Sequence, residues 1–269
     1  MHRSLLVLTS LALLTGRTVH GLQLPGPLGD SVEAFQARKE TVAWLLAYDR
    51  AAWLTSDAVM AEPDSLKQGL GREWFCLQIG DVWHAYYGRF DAAEDSYRAA
   101  LHYELGPAGQ VTRFPEAVDT QLLTALARAL QQGHARLPAH FTGAGLAFNQ
   151  YVRMLGDSAI EVWYLPGWQP RAEVMVYGGE ASFTFDVSGS EERARHVLLD
   201  PWRGYPLDDT TEIVLSYAER ALPTVGSLFF LYANWKYYKK ITILTRSYLS
   251  TLVESPEGPM LIHAVRPEQ

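Results

Sequence analysis

Apolar positions recur at two different periods along this chain, and the switches between them mark out its elements. Val32, Phe35, Val42, Leu45, Leu46 and Ala52 fall at helical spacing. With Ser31 as cap and Glu33 in the first turn they predict a helix that runs on through Trp53 and Val59 to Pro63. From Glu73 the pattern turns to strand. Glu73 to Ile79 and Val82 to Phe90 are aromatic-rich runs separated by Gly80-Asp81, a two-residue hairpin signal. Tyr97 to Leu105 and Val111 to Phe114 flank Gly106-Pro107-Ala108-Gly109 and predict a second hairpin. Pro115 then opens another helix, with Val118, Leu122, Leu123, Leu126 and Leu130 at helical spacing.

Gly133 to Gly145, with Pro138 and three glycines, is the best internal boundary. Beyond it strands dominate: Leu146 to Leu155, Ile160 to Leu165, Ala172 to Val176, Ala181 to Val187, Ala194 to Leu199 and Ile213 to Tyr217. Pro223-Thr224 starts a helix that puts Val225, Leu228, Phe229 and Tyr232 on one face. Ile241 to Leu244, Tyr248 to Val253 and Pro259 to Val265 return to strand. The predicted class is α+β. N-terminal helices go with a small antiparallel sheet, followed by a larger mixed or antiparallel sheet with a helix packed near the C-terminus. Either two regions, 22–135 and 136–269, or one continuous domain over 22–269 fits the pattern.

Residues 1–21 read differently from everything after them. Met1-His2-Arg3 is a basic start, Ser4 to Gly16 an apolar core, and Val19-His20-Gly21 offers small residues for cleavage before Leu22. The run falls short of the about 20 apolar residues a membrane span needs. A cleaved secretory signal is expected, with an uncleaved anchor as the alternative. Losing Arg3 and Arg17 takes the net charge from −7 to −9, a sign that disfavours nucleic acid and anionic membranes as partners. Cys76 is the single cysteine, so no intrachain disulfide forms and a full apolar core must suffice. That combination suggests a bacterial periplasmic or secreted protein rather than a small disulfide-rich one.

Candidate chemistry is sparse. Cys76 and His84 could form a thiol–imidazole pair only if they meet. A two-residue turn at Gly80-Asp81 pairs Ile79 with Val82 and Cys76 with Ala85, which sends Cys76 and His84 to opposite faces. His102 and Glu104 share a strand face, and with His84 alongside they could bind zinc with an open position. No local metal motif supports this, so no metal and no cofactor is expected. Ser182, Ser188 and Ser190 lie in no nucleophile elbow, and Gly143 to Gly145 and Gly178-Gly179 read as turns. Lys236, Lys239 and Lys240, among Trp235, Tyr237 and Tyr238, read as a solvated helix end.

The stretch Ile213 to Leu244 runs strand, Pro-Thr loop, helix, strand and resembles the metal-bearing segment of JAB/MPN metallopeptidases. Laid on that family's pattern, the two histidines fall on Val214 and Ser216, the serine on Thr224 and the aspartate on Ser227. Glu161 or Glu180 could stand for its glutamate. The resemblance covers about 32 residues and implies a metal-free, non-peptidase relative. The blocks Phe148 to Val152 and Tyr177 to Glu180 resemble those of uncharacterised bacterial secreted proteins. With eight Trp and fourteen Tyr, residues suited to contact surfaces, the expectation is a non-catalytic binding protein for a protein or small-molecule ligand. The alternative is a hydrolase with a carboxylate or histidine site drawn from distant residues.

Overall fold

The computed structural model describes residues 27–114, 119–138, 145–169, 171–198 and 202–266, with backbone alone for 27–31. The signal reading of 1–21 lies outside the described residues, as do Pro115 and Val118. Helix α1, Pro27–Ala61, begins four residues before Ser31, since proline is tolerated in a helix's first turn. Val42, Leu45, Tyr48, Ala51, Ala52, Thr55 and Val59 form its buried stripe, while Val32 and Trp53 are exposed. A single turn, α2 (Asp64–Lys67), follows.

The first sheet runs β1 (Trp74–Ile79), β2 (Val82–Asp91), β3 (Ser96–Leu105) and β4 (Val111–Arg113) in that order, all antiparallel. Its first hairpin has the register expected: Ile79 pairs with Val82 and Cys76 with Ala85. Helix α3 (Thr120–Ala135) is capped by Asp119, whose carboxylate accepts from the N–H groups of Gln121 and Leu122 at 2.9 and 3.3 Å.

The strands after 146 divide among three sheets instead of one. β5 (Phe148–Leu155), β6 (Ala159–Pro166), β9 (Ala181–Asp186) and β10 (Glu192–Val197) form one, ordered β10-β9-β6-β5. The short β7 (Trp168–Gln169), β8 (Val174–Tyr177) and β11 (Arg203–Pro206) form a second, and β7 and β11 were not foreseen. The last comprises β12 (Asp208–Tyr217), β13 (Tyr238–Thr245), β14 (Tyr248–Ser255) and β15 (Gly258–Val265). Here β12 runs parallel to β13, and α4 (Val225–Asn234) supplies the crossover and packs on β13 and β14. Thr224 caps α4 by accepting from Ser227 N–H at 3.0 Å. The helix is buried on more than the one face expected: Phe230 and Leu231 join Val225, Leu228 and Phe229, while Tyr232 is half-buried.

The chain divides into two compact units, one of residues 1–46 with 206–269 and one of residues 47–205. In the second, α3 packs on β3 of the first sheet and on β5 and β6 of the next. Gly133, read as the start of a boundary, is buried inside α3, where a Cβ would stand 2.9 Å from Tyr164 and Val162 side-chain atoms. In the first unit Phe35 of α1 stacks on His263 of β15. No helix among the described residues is long and apolar enough to cross a membrane.

Candidate functional site

The hairpin register decides the thiol question. Cys76 is fully buried, and its N–H donates to the Tyr48 hydroxyl at 3.0 Å. Burial, and then the Asp49 carboxylate, push its thiol pKa well up, so it is not a nucleophile at neutral pH. His84 pairs with Leu77 and points to the opposite face, as the two-residue turn required.

On that opposite face the three metal candidates do meet. β2 and β3 pair His84 with Glu104 and Tyr86 with His102, so all four side chains share one side of the sheet. His84 Nδ1 lies 3.0 Å from His102 Nε2 and 3.6 Å from Glu104 Oε1. One imidazole donates to the other. The two nitrogens nearest each other thus share a proton, and among the described residues no group of three His, Cys, Asp or Glu is arranged to hold a metal ion. Tyr86 stacks on His102 with ring centres 4.3 Å apart, and Phe114 meets His102 edge-on at 5.2 Å. The Tyr86 hydroxyl is buried without a hydrogen-bond partner among the described residues. Burial first, and the Glu104 charge second, push its pKa up to about 12.

The remaining sequence candidates have structural partners. Glu161 pairs with Arg153 at 2.7 Å, and buried Glu180 contacts His196 Nε2 at 3.2 Å. Thr224 and Ser227 are engaged in capping α4. Of the three lysines only Lys236 lies at the helix end. Lys236 lies in a 3-10 turn (Trp235–Tyr237) over the Trp235 ring, and Lys239 and Lys240 belong to β13. The β-branched run Ile241-Thr242-Ile243 carries the strand back through them, and Lys239 pairs with Glu212 at 2.8 Å.

A site that no local motif announces lies elsewhere in the 47–205 unit. A groove of about 760 Å³ is bounded by the start of β1, the last turns of α3 and the start of β5. Trp74, Leu130, Leu146, Phe148 and Tyr164 give it apolar and aromatic walls, and Arg72, Gln131, His134 and Gln150 add polar groups. Its geometry is braced by hydrogen bonds. Gln150 Nε2 donates to the Arg72 and Trp74 carbonyls at 3.1 and 3.0 Å, and the Tyr164 hydroxyl donates to the Leu130 carbonyl. Its one carboxylate, Glu73, is occupied on both oxygens, by Phe90 N–H at 3.2 Å and Gln131 Nε2 at 3.1 Å.

A second groove of about 960 Å³ opens beside the start of α3. Asp119 there caps the helix and Asp95 pairs with Arg128 at 2.8 Å, while Asp157 is exposed. Comparison with protein families, with curated proteins and with solved structures gives no match for this chain. Function is therefore argued from its own residues.

Proposed function

We propose that the chain is a secreted or periplasmic bacterial protein that binds a small molecule without chemically changing it, in the groove beside Trp74. One observation carries this reading. The groove joins aromatic walls to two polar side chains, Arg72 and His134, that hydrogen-bond to no other described residue, within the volume range of small-molecule sites. Its carboxylate is held in place, with each Glu73 oxygen accepting a hydrogen bond. The same reading takes Ile213 to Leu244 as a metal-free segment, since Val214 has no donor atom and the Thr224 and Ser227 hydroxyls serve the helix cap.

A second reading, a hydrolase, has the meeting of His84, His102 and Glu104 in its favour. The chain's one thiol supplies no nucleophile there, since Cys76 is on the other face.

Three measurements test the proposal. N-terminal sequencing of exported protein should begin at Leu22; a chain retaining Met1 and held in membranes would contradict export of a cleaved form. A fragment screen read by thermal shift should yield ligands whose effect disappears in Ala135→Trp, a change at an exposed helix end that fills the groove. Hits indifferent to that change would move the site elsewhere. Turnover of an ester or amide substrate that is lost in His84→Ala at unchanged fold would install the second reading.

A further inference from the structure

We infer that the ligand of the Trp74 groove is an organic anion, a carboxylate carried on an aromatic or alicyclic body; this rests on the groove being the binding site. The uncommitted polar hydrogens around the groove are donors. The Arg72 guanidinium is exposed and forms no ion pair or hydrogen bond with the described residues. His134 is exposed in the last turn of α3, and its ring has no hydrogen-bond partner among them. The indole N–H of half-buried Trp74 is likewise unengaged, while the ring itself is held in a stack with Tyr87, centres 6.2 Å apart.

A second cation stands near the same edge. A Cβ on Gly71 would lie 3.1 Å from Arg89 side-chain carbons, and Arg89 is also exposed and without an ion pair among the described residues. The one negative group, Glu73, is turned to the Phe90 N–H and the Gln131 amide. In a chain of net charge −7, Arg72 lines the groove as a cation without an ion pair among the described residues.

The chemistry follows from these parts. A guanidinium can hold a carboxylate through two parallel N–H···O bonds, and an indole N–H can add a third donor. Trp74, Phe148 and Tyr164, with Leu130 and Leu146, would cover the ligand's apolar body, which gains by leaving water. A cationic ligand would meet guanidinium groups and an already engaged carboxylate. A neutral polyol would leave the arginines without a charged partner.

The probe is 3-phenylpropionate against its uncharged counterpart 3-phenylpropionamide, titrated into the signal-free chain by calorimetry and by NMR at low salt. The acid should bind at least tenfold more tightly than the amide. Arg72→Gln should weaken the acid at least tenfold and the amide far less, and Arg72→Lys should restore part of the difference. Ala135→Trp should weaken both compounds. If acid and amide bind equally and both are weakened by Ala135→Trp, the anion inference falls and the groove survives as the binding site. If neither compound binds saturably, or binding ignores Ala135→Trp, the groove itself is overturned. Arg72 is exposed, so its variants should keep the wild-type unfolding midpoint, which separates lost affinity from lost fold.

Discussion

Two histidine clusters in this molecule use the same residue types and reach opposite states. His263 of β15 stands opposite Ser250 of β14 and shares a 2.7 Å hydrogen bond with its hydroxyl. Its ring is sandwiched between Phe35, centres 3.8 Å apart, and Tyr248, 4.4 Å apart. His102 is also stacked on a tyrosine and faced by a phenylalanine, but its cluster holds a second imidazole and a carboxylate. The first cluster closes with one hydrogen bond between two aromatic faces. The second leaves the Tyr86 hydroxyl without a partner among the described residues and Glu104 3.6 Å from the nearest imidazole nitrogen. Stacking alone therefore does not mark a histidine as structural; what separates the two is whether the surrounding polar atoms find partners.

The largest effect should come from the buried imidazole of the second cluster. His102→Ala removes a 6 % exposed ring from between Tyr86 and Phe114. It should cost about 3 kcal/mol in urea unfolding, through lost contact and a cavity. His84→Ala, at the solvent edge, should cost less than half as much. Equal costs would mean that the two rings act as one hydrogen-bonded unit instead of one packed and one peripheral.

The next effect belongs to the first cluster and appears on acidification. Burial first, and the nearby Lys39 charge second, pull the His263 pKa from 6.5 down to about 4. The unfolded chain then binds a proton near pH 6.5 that the folded chain takes up only near pH 4. The stability tied to neutral His263 is complete above pH 6.5 and is lost as pH falls toward 4. Allowing for the ring's partial exposure, the loss should be about 1–2 kcal/mol. His263→Gln should flatten that part of the pH profile, and an unchanged slope would put the acid sensitivity on other groups.

Legibility differed between these regions for a physical reason. The Gly80-Asp81 turn set the β1–β2 register without reference to anything distant, so the opposite placement of Cys76 and His84 followed from the sequence. The two-residue alternation likewise put His102 and Glu104 on one face. Whether His84 joined them depended on the β2–β3 register, which shifts between Tyr87 and Gly88; a bulge of that kind leaves no local signature. β7 and β11, two and four residues long, carry too few positions for a period to show. The groove draws on residues 71–74, 130–135 and 146–164, so only folding assembles it.

Cys76 supplies a control on the reverse side of the second cluster's sheet. Cys76→Ser should cost about 1 kcal/mol, as a buried thiol gives way to a more polar hydroxyl. It should leave ligand binding unchanged. Native protein should react with a thiol reagent only as fast as it opens, because the sulfur is fully buried. Fast labelling would mean that this face is accessible and that the contrast between the two sides of the sheet is false.

The smallest effect is also the one whose sign matters most. The Tyr86 hydroxyl is buried and has no hydrogen-bond partner among the described residues, so the folded state carries the cost of removing it from water without the return a bond would give. Tyr86→Phe keeps the stack on His102 and deletes only that oxygen. It should leave stability unchanged or raise it, by up to about 1 kcal/mol. Elsewhere in the chain the same replacement should behave in the opposite way. Tyr48→Phe removes the acceptor of the Cys76 N–H and should destabilise by about 1 kcal/mol or more. Urea titration of the two variants side by side decides the matter. If Tyr86→Phe destabilises as Tyr48→Phe does, the Tyr86 hydroxyl has a bound partner in solution, and the second cluster is as closed as the first.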